Sequence, residues 1–209
     1  MVPTLTLVVC LAASSGSTQT VRTRPPQESP ATVADQIAAL GASDPVVRAL
    51  AACELGLLRH DAAPALAALI RMLPDVTPID PVFCGRDEFG SITMLASRRS
   101  APGLEAARAL GGMGDAGVEP LLTAARGGDA GARRHAVHAL TYVRDSRVAA
   151  LFLAVSTDPD PQVRRDAAVG LGRSRDAAAV PALLRGLGDS DAIVREAAAR
   201  ALGRAVRNR

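Results

Sequence analysis

One unit is spelled twice in residues 158–203, and that repetition constrains the fold more than any other feature. Val163-Arg164 returns as Val194-Arg195, and Leu171-Gly172 returns as Leu202-Gly203, each after a step of 31 residues (163 to 194, 171 to 202). A fixed period of this length marks stacked helical units. A lone helix pair cannot bury both of its faces, so each pair must be covered by its neighbours.

The same grammar extends upstream. A Leu closes a first helix at Leu55, Leu110, Leu140, Leu171 and Leu202, in steps of 55, 30, 31 and 31, and Gly follows it everywhere except at Thr141. Second helices are predicted at Ala65 to Leu69, Val118 to Leu122, Val148 to Leu153 and Val180 to Leu187. Pro64, Pro120 and Pro181 fall in the first turn of three of them, where a missing N–H costs little. Ahead of these, Val33, Ile37 and Leu40 share one face of a short helix that Gly41 ends. Asp44-Pro45 and Asp160-Pro161 read as N-cap and first helical residue. An Asp precedes an Arg by four residues at Asp44/Arg48, Asp129/Arg133, Asp160/Arg164 and Asp191/Arg195. The carboxylate is expected to cap the helix start and also to hold the Arg one turn on.

The composition suits thin layers. Hydrophobic residues make up 48% of the chain but aromatics only 2%, so Ala, Leu and Val must build the core. All 24 basic residues are Arg, yet the net charge is only +3, which is weak electrostatic support for nucleic-acid binding.

The pattern D-x-x-V-R-x-x-A-A-x-x-L-G, followed by a V-P-x-L-L helix, resembles the HEAT-like repeats of the phycobilisome-lyase type. Units of 30 or 31 residues favour this short subclass over ordinary HEAT repeats of about 40–47 residues. The resemblance covers about residues 31–207 apart from one insert. It implies an all-α, right-handed α-solenoid of about five short helical hairpins, the last one truncated. It further implies that the Val-Arg helices line the inner, concave face and the Pro-containing helices the outer layer. Some HEAT-like proteins are di-iron hydroxylases with paired His-Glu dipeptides. Here the His residues are followed by Asp61, Ala136 and Ala139, so that activity does not carry over.

The 55-residue step leaves an irregular insert at about residues 74–101, with Pro74, Pro78, Pro81, Phe83 and Phe89. Long irregular segments inside a compact array are usually functional or disordered, and apolar Phe83, Ile92, Met94 and Leu95 argue against full disorder. It is expected to fold back over the solenoid, offering Arg86, Phe89 and Arg98 for binding. Cys53 on a first helix and Cys84 in the insert are candidates for a disulfide pinning the insert to the array.

Candidate binding residues follow from the columns of the repeat. Glu105, His135 and Asp166 are equivalent positions, as are Arg108, His138, Val169 and Arg200. Arg133 and Arg164 are expected to be tied to capping Asp residues, leaving Arg134 and Arg165 freer. The inner-face set is therefore Arg134, His135, His138, Arg165, Asp166 and Arg200. A solvated polar surface is expected there, with no metal and no cofactor. Gly111-Gly112-Met113-Gly114 is Gly-rich but lies between predicted helices, where it reads as a turn.

Residues 1–20 carry an apolar run from Val2 to Ala13 followed by small residues, as in a signal peptide. Cys10 loosely resembles a lipoprotein cleavage site. Residues 21–31, VRTRPPQESPA, read as a Pro-rich linker, and the repeat array occupies 32–209. At the other end Arg207-Asn208-Arg209 follow a first helix with no second, which offers a face for a weak dimer. The expected function is a non-catalytic protein–protein scaffold in the bacterial cell envelope, binding a protein or peptide. It would be a monomer or weak dimer, periplasmic or secreted, or cytoplasmic if the start is mis-annotated, with no nucleic-acid partner and no transmembrane segment in the mature chain. The alternatives are a lyase or metal-dependent enzyme of a HEAT-like family, and nucleic-acid binding.

Overall fold

The structure, a computed structural model, describes residues 32–80, 100–174 and 178–207. Within them lie α1 (Val33–Ala39), α2 (Pro45–Leu58), a 3-10 stretch (Arg59–Ala65), α3 (Leu66–Met72), α4 (Pro102–Gly112) and α5 (Asp115–Arg126). There follow α6 (Ala130–Leu140), α7 (Ser146–Ala154) with a 3-10 turn (Val155–Thr157), α8 (Pro161–Ser174), α9 (Ala179–Gly186) and α10 (Ala192–Arg207). Among the described residues the only β pairing is an isolated antiparallel bridge, Ile79 with Ser100. The array is an α-solenoid of helical hairpins: α2, α4, α6, α8 and α10 are the first helices of five units, and the fifth has no second helix among the described residues.

Each first helix packs on the next: α2 on α4, α4 on α6, α6 on α8, α8 on α10. The second helices touch one another much less. The cause is residue size at the contact. A Cβ on Gly56 would stand 3.0 Å from the Ala109 Cα, and one on Gly172 would stand 2.8 Å from the Ala201 Cα. Gly and Ala thus let first-helix backbones approach until they touch. Leu55, Leu110, Leu140 and Leu171 fill the space beneath, none more than 3% exposed.

The Asp–Arg pairs work differently from the expectation. Asp44, Asp129, Asp160 and Asp191 do cap their helices, accepting from the backbone N–H of Val46, Ala132, Gln162 and Ile193. The Arg four residues on does not pair with that cap. Helical side chains lean toward the N-terminus, which carries the guanidinium past the cap into the loop before the helix. There Arg48 donates to the carbonyls of Ala42 and Ser43, Arg133 to Gly127 and Gly128, Arg164 to Asp158 and Pro159, and Arg195 to Asp189 and Ser190. The rest of the fork reaches the following inter-unit loop: Arg48 pairs with Asp75, Arg133 with Asp158, and Arg164 with Asp189. Asp158 and Asp189 are hinges of this ladder, accepting one Arg on the carboxylate and the next on the carbonyl.

In the second unit the ladder position is Gly103. A Cβ there would lie 2.5 Å from the Leu73 carbonyl oxygen and 2.7 Å from that of Asp75. The stem of the insert runs through the space an Arg side chain would need. Ile79 and Ser100 close this stem with two 3.0 Å backbone hydrogen bonds, and both are 7% exposed. The predicted insert residues Cys84, Arg86, Phe89 and Arg98 lie outside the described residues, as do residues 1–31.

One further detail departs from the sequence reading. Pro120 is not in a first turn, because α5 starts at Asp115. Its missing N–H would have served Ala116, which is exposed, so water can satisfy that carbonyl. Gly112, Gly114 and Gly117 also have G-x-G-x-x-G spacing. They join helix to helix with no preceding strand, so the phosphate-binding geometry is lacking. Gly114 has φ 67° and Gly117 packs directly under the Leu110 carbonyl, which makes this a tight interhelical turn.

Candidate functional site

The repeat places equivalent residues of α6, α8 and α10 side by side. Counting from the closing Leu, the columns are Arg134, Arg165 and Glu196; His138, Val169 and Arg200; and Tyr142, Arg173 and Arg204. Together with Asp166 and Thr141, eight of these nine residues line one depression of about 560 Å³. Arg134 does not. A second depression, of about 780 Å³, shares Thr141, Tyr142, Arg173 and Arg204 with it and extends toward α7. The second exists because α6 ends at Leu140, whereas α8 continues three residues past Leu171 to Ser174.

Asp166 is the anchor of this face. It is 4% exposed, and its two carboxylate oxygens are each held, one by Arg165 Nη1 at 2.7 Å and the other by His138 Nδ1 at 2.9 Å. A carboxylate only accepts, so His138 donates from Nδ1 and its Nε2 carries the lone pair in the neutral ring. That Nε2 is buried and has no hydrogen-bond partner. Among the described residues the one other buried side-chain atom without a partner is Arg204 Nε, in the wall of the same depression.

Tyr142 is 63% exposed, although an aromatic is rare in this chain. Its ring meets His138 edge-on with centroids 5.6 Å apart, and the Arg173 guanidinium stands 4.8 Å from its centroid. Arg173 is oriented by a 2.6 Å bond from Nη1 to the carbonyl of Thr141, the C-cap of α6. Arg200 is largely solvent-exposed and pairs with Glu196. Four guanidiniums against two carboxylates leave the depression positively charged.

Of the predicted set, His138, Arg165, Asp166 and Arg200 therefore gather at one place. Arg165 is not free as expected, since it holds Asp166. Arg134 is not free either: Nε and Nη2 both bond Asp160, the cap of the next helix. His135 lies off the open face. It is 7% exposed and donates from Nδ1 to the Leu73 carbonyl at 2.9 Å, holding the insert stem to α6. Burial depresses its pKa below the usual value. Its column mates Glu105 and Asp166 are buried as well, Glu105 being held by Ser100 and Arg108. No cluster of three or more His, Cys, Asp or Glu is gathered as for a metal among the described residues. Cys53 is disulfide-bonded, and its partner falls outside them.

Sequence reasoning missed Tyr142, Arg173 and the inward role of Arg204. The signal was present: all three stand two residues past the closing Leu, and Tyr142 is the chain's single Tyr.

Comparison with known proteins agrees with this architecture. Residues 104–127 match the family model of the PBS lyase HEAT-like repeat, and residues 148–208 match that of HEAT repeats. No curated protein matches the chain. Among solved structures it is similar to the complex of CpcE and CpcF of phycocyanin lyase from Nostoc sp. PCC7120. That match has 25% identity and a TM-score of 0.56, over 92% of this chain and 71% of the other. It is also similar in fold to Kap95p in its structure with RanGDP (15% identity, TM-score 0.55, 85% of this chain) and to importin beta (18%, 0.52, 84%). The chain spans 25% of each of those two proteins. No helix among the described residues is long and apolar enough to cross a membrane.

Proposed function

We propose, from the premise that this chain is a HEAT-like repeat protein, that it acts as a non-catalytic scaffold holding another protein or peptide against its first-helix layer. The observation that carries this reading is the continuous depression across α6, α8 and α10. It has an exposed Tyr, a surplus of Arg and two buried polar atoms awaiting partners. Exposed aromatic and Arg side chains around a concave site are what protein-binding surfaces are enriched in. The rigid stack beneath supplies the preorganisation.

The apolar start of the chain, residues 2–13, supports a place in the bacterial cell envelope, periplasmic or secreted. The disulfide at Cys53 is in keeping with an oxidising compartment. A pull-down from an envelope extract tests the reading. Partner capture by the intact chain should fall sharply when Arg165 and Arg200 are both reversed to Glu. Unchanged capture would contradict it.

A second reading is favoured by the similarity to the phycocyanin lyase complex, namely that the chain is a lyase or lyase-like subunit. It predicts a chromophore or other small ligand retained on purification, seen as visible absorbance that co-elutes with the protein.

A further inference from the structure

We infer that the depression between α6, α8 and α10 takes an acidic peptide segment: an extended stretch of a partner that offers a carboxylate beside a backbone amide. This rests on the scaffold reading and specifies the chemistry of its partner.

The wall itself defines the complement. Arg204 Nε is a buried N–H with no acceptor, and a buried donor left unsatisfied is destabilising. An incoming oxygen removes that penalty. In the neutral ring, where Nδ1 donates to Asp166, His138 Nε2 is a buried acceptor with no donor. An incoming N–H satisfies it. One open donor and one open acceptor in the same cavity match a peptide, which carries both groups, better than a simple anion, which carries only acceptors.

Charge selects among peptides. Arg165, Arg173, Arg200 and Arg204 all line the cavity, against Asp166 and Glu196. Asp166 is already ion-paired with Arg165 and accepts a hydrogen bond from the neutral His138 ring, so it does not repel an incoming carboxylate strongly. Arg200 is held only by an exposed pair with Glu196, with side chains 73% and 59% exposed, which a ligand carboxylate can displace at little cost. Arg173 has a free guanidinium edge beyond the bond to Thr141 and lies over Tyr142, whose exposed ring gives an adjoining side chain an apolar surface.

The test uses the full chain and fluorescein-labelled peptides of one Gly-Ser-Leu frame, bearing several Glu, several Gln or several Arg residues. A single-stranded oligothymidine of similar length serves as a phosphate control, and binding is read by fluorescence anisotropy. The Glu peptide should bind, and at least about tenfold more tightly than the Gln peptide. Arg204→Gln and Arg200→Glu should each weaken it by roughly tenfold, about 1.4 kcal/mol. Arg126→Glu, at an exposed position of α5 in the other layer, should leave it unchanged. Arg200 is exposed, so that variant remains informative if Arg204→Gln fails to fold. Equal binding of the Gln or Arg peptide would overturn the acidic preference and leave the scaffold reading standing. Tighter binding of the oligonucleotide, with steep salt dependence, would overturn it in favour of a phosphate ligand. Absence of binding to all the probes by folded protein would overturn it as well, with the partner pull-down deciding the broader reading separately.

Discussion

Arg164 of α8 grips Asp189 in the next inter-unit loop with two parallel bonds, Nε to Oδ2 and Nη2 to Oδ1, both 2.8 Å. Its remaining Nη1 holds the carbonyls of Asp158 and Pro159 in the preceding loop. One side chain therefore ties two loops and a helix, and the pair is largely covered, at 15% and 13% side-chain exposure. Arg164→Ala should cost about 2 kcal/mol, the worth of hydrogen bonds to charged groups, and Arg164→Lys should recover only part of it. Urea denaturation measures both.

The same pair sets an acid limit. The hydrogen bonds from Arg164 hold the Asp189 pKa down, to about 2 from 3.8. A depressed carboxylate contributes stability that is present above the unfolded value, near 4, and lost as pH falls toward 2. The stability of Asp189→Asn should be lower at neutral pH and fall less steeply over that window.

His135 acts in a different range. Burial lowers its folded pKa below 6.5, while in the unfolded chain the ring titrates normally. The unfolded state therefore gains a proton first as pH drops. Stability should be full above about pH 6.5 and decline below it, toward the folded pKa. His135→Gln keeps a donor for the Leu73 carbonyl and removes the titration. Its thermal midpoint should change less than that of the parent between about pH 7 and pH 5.

Glycines at equivalent positions should answer differently to the same change. A Cβ on Gly172 would meet the Ala201 Cβ at 2.6 Å and its Cα at 2.8 Å, whereas one on Gly203, in the last unit, meets nothing within 4 Å. Gly172→Ala should destabilise by roughly 1–3 kcal/mol through overpacking. Gly203→Ala should be neutral or stabilising by up to about 1 kcal/mol, from helix propensity.

Much of the array was legible because its period is built from residues that act within one unit. Leu55, Leu110, Leu140 and Leu171 fill the core as their spacing indicated. The Arg ladder was misread because its partners are not local. Arg133 meets Asp158 and Arg164 meets Asp189, each 25 residues on, where counting along one helix cannot see them. His135 and His138 looked alike, three residues apart on α6. They differ because the insert stem lies over His135 alone, and no periodic argument places an irregular stem. Tyr142 stands beyond the end of α6, outside the helical pattern that drew attention to His138.

The first-helix face of α6, α8 and α10 is proposed to hold a partner protein. Site-specific photo-crosslinking in the native host tests it most directly, with the photoreactive residue placed at Tyr142, at Arg200, or at Arg126 on α5. One discrete adduct is expected from positions 142 and 200, and none from 126. An adduct from 126 with none from 142 or 200 would contradict it.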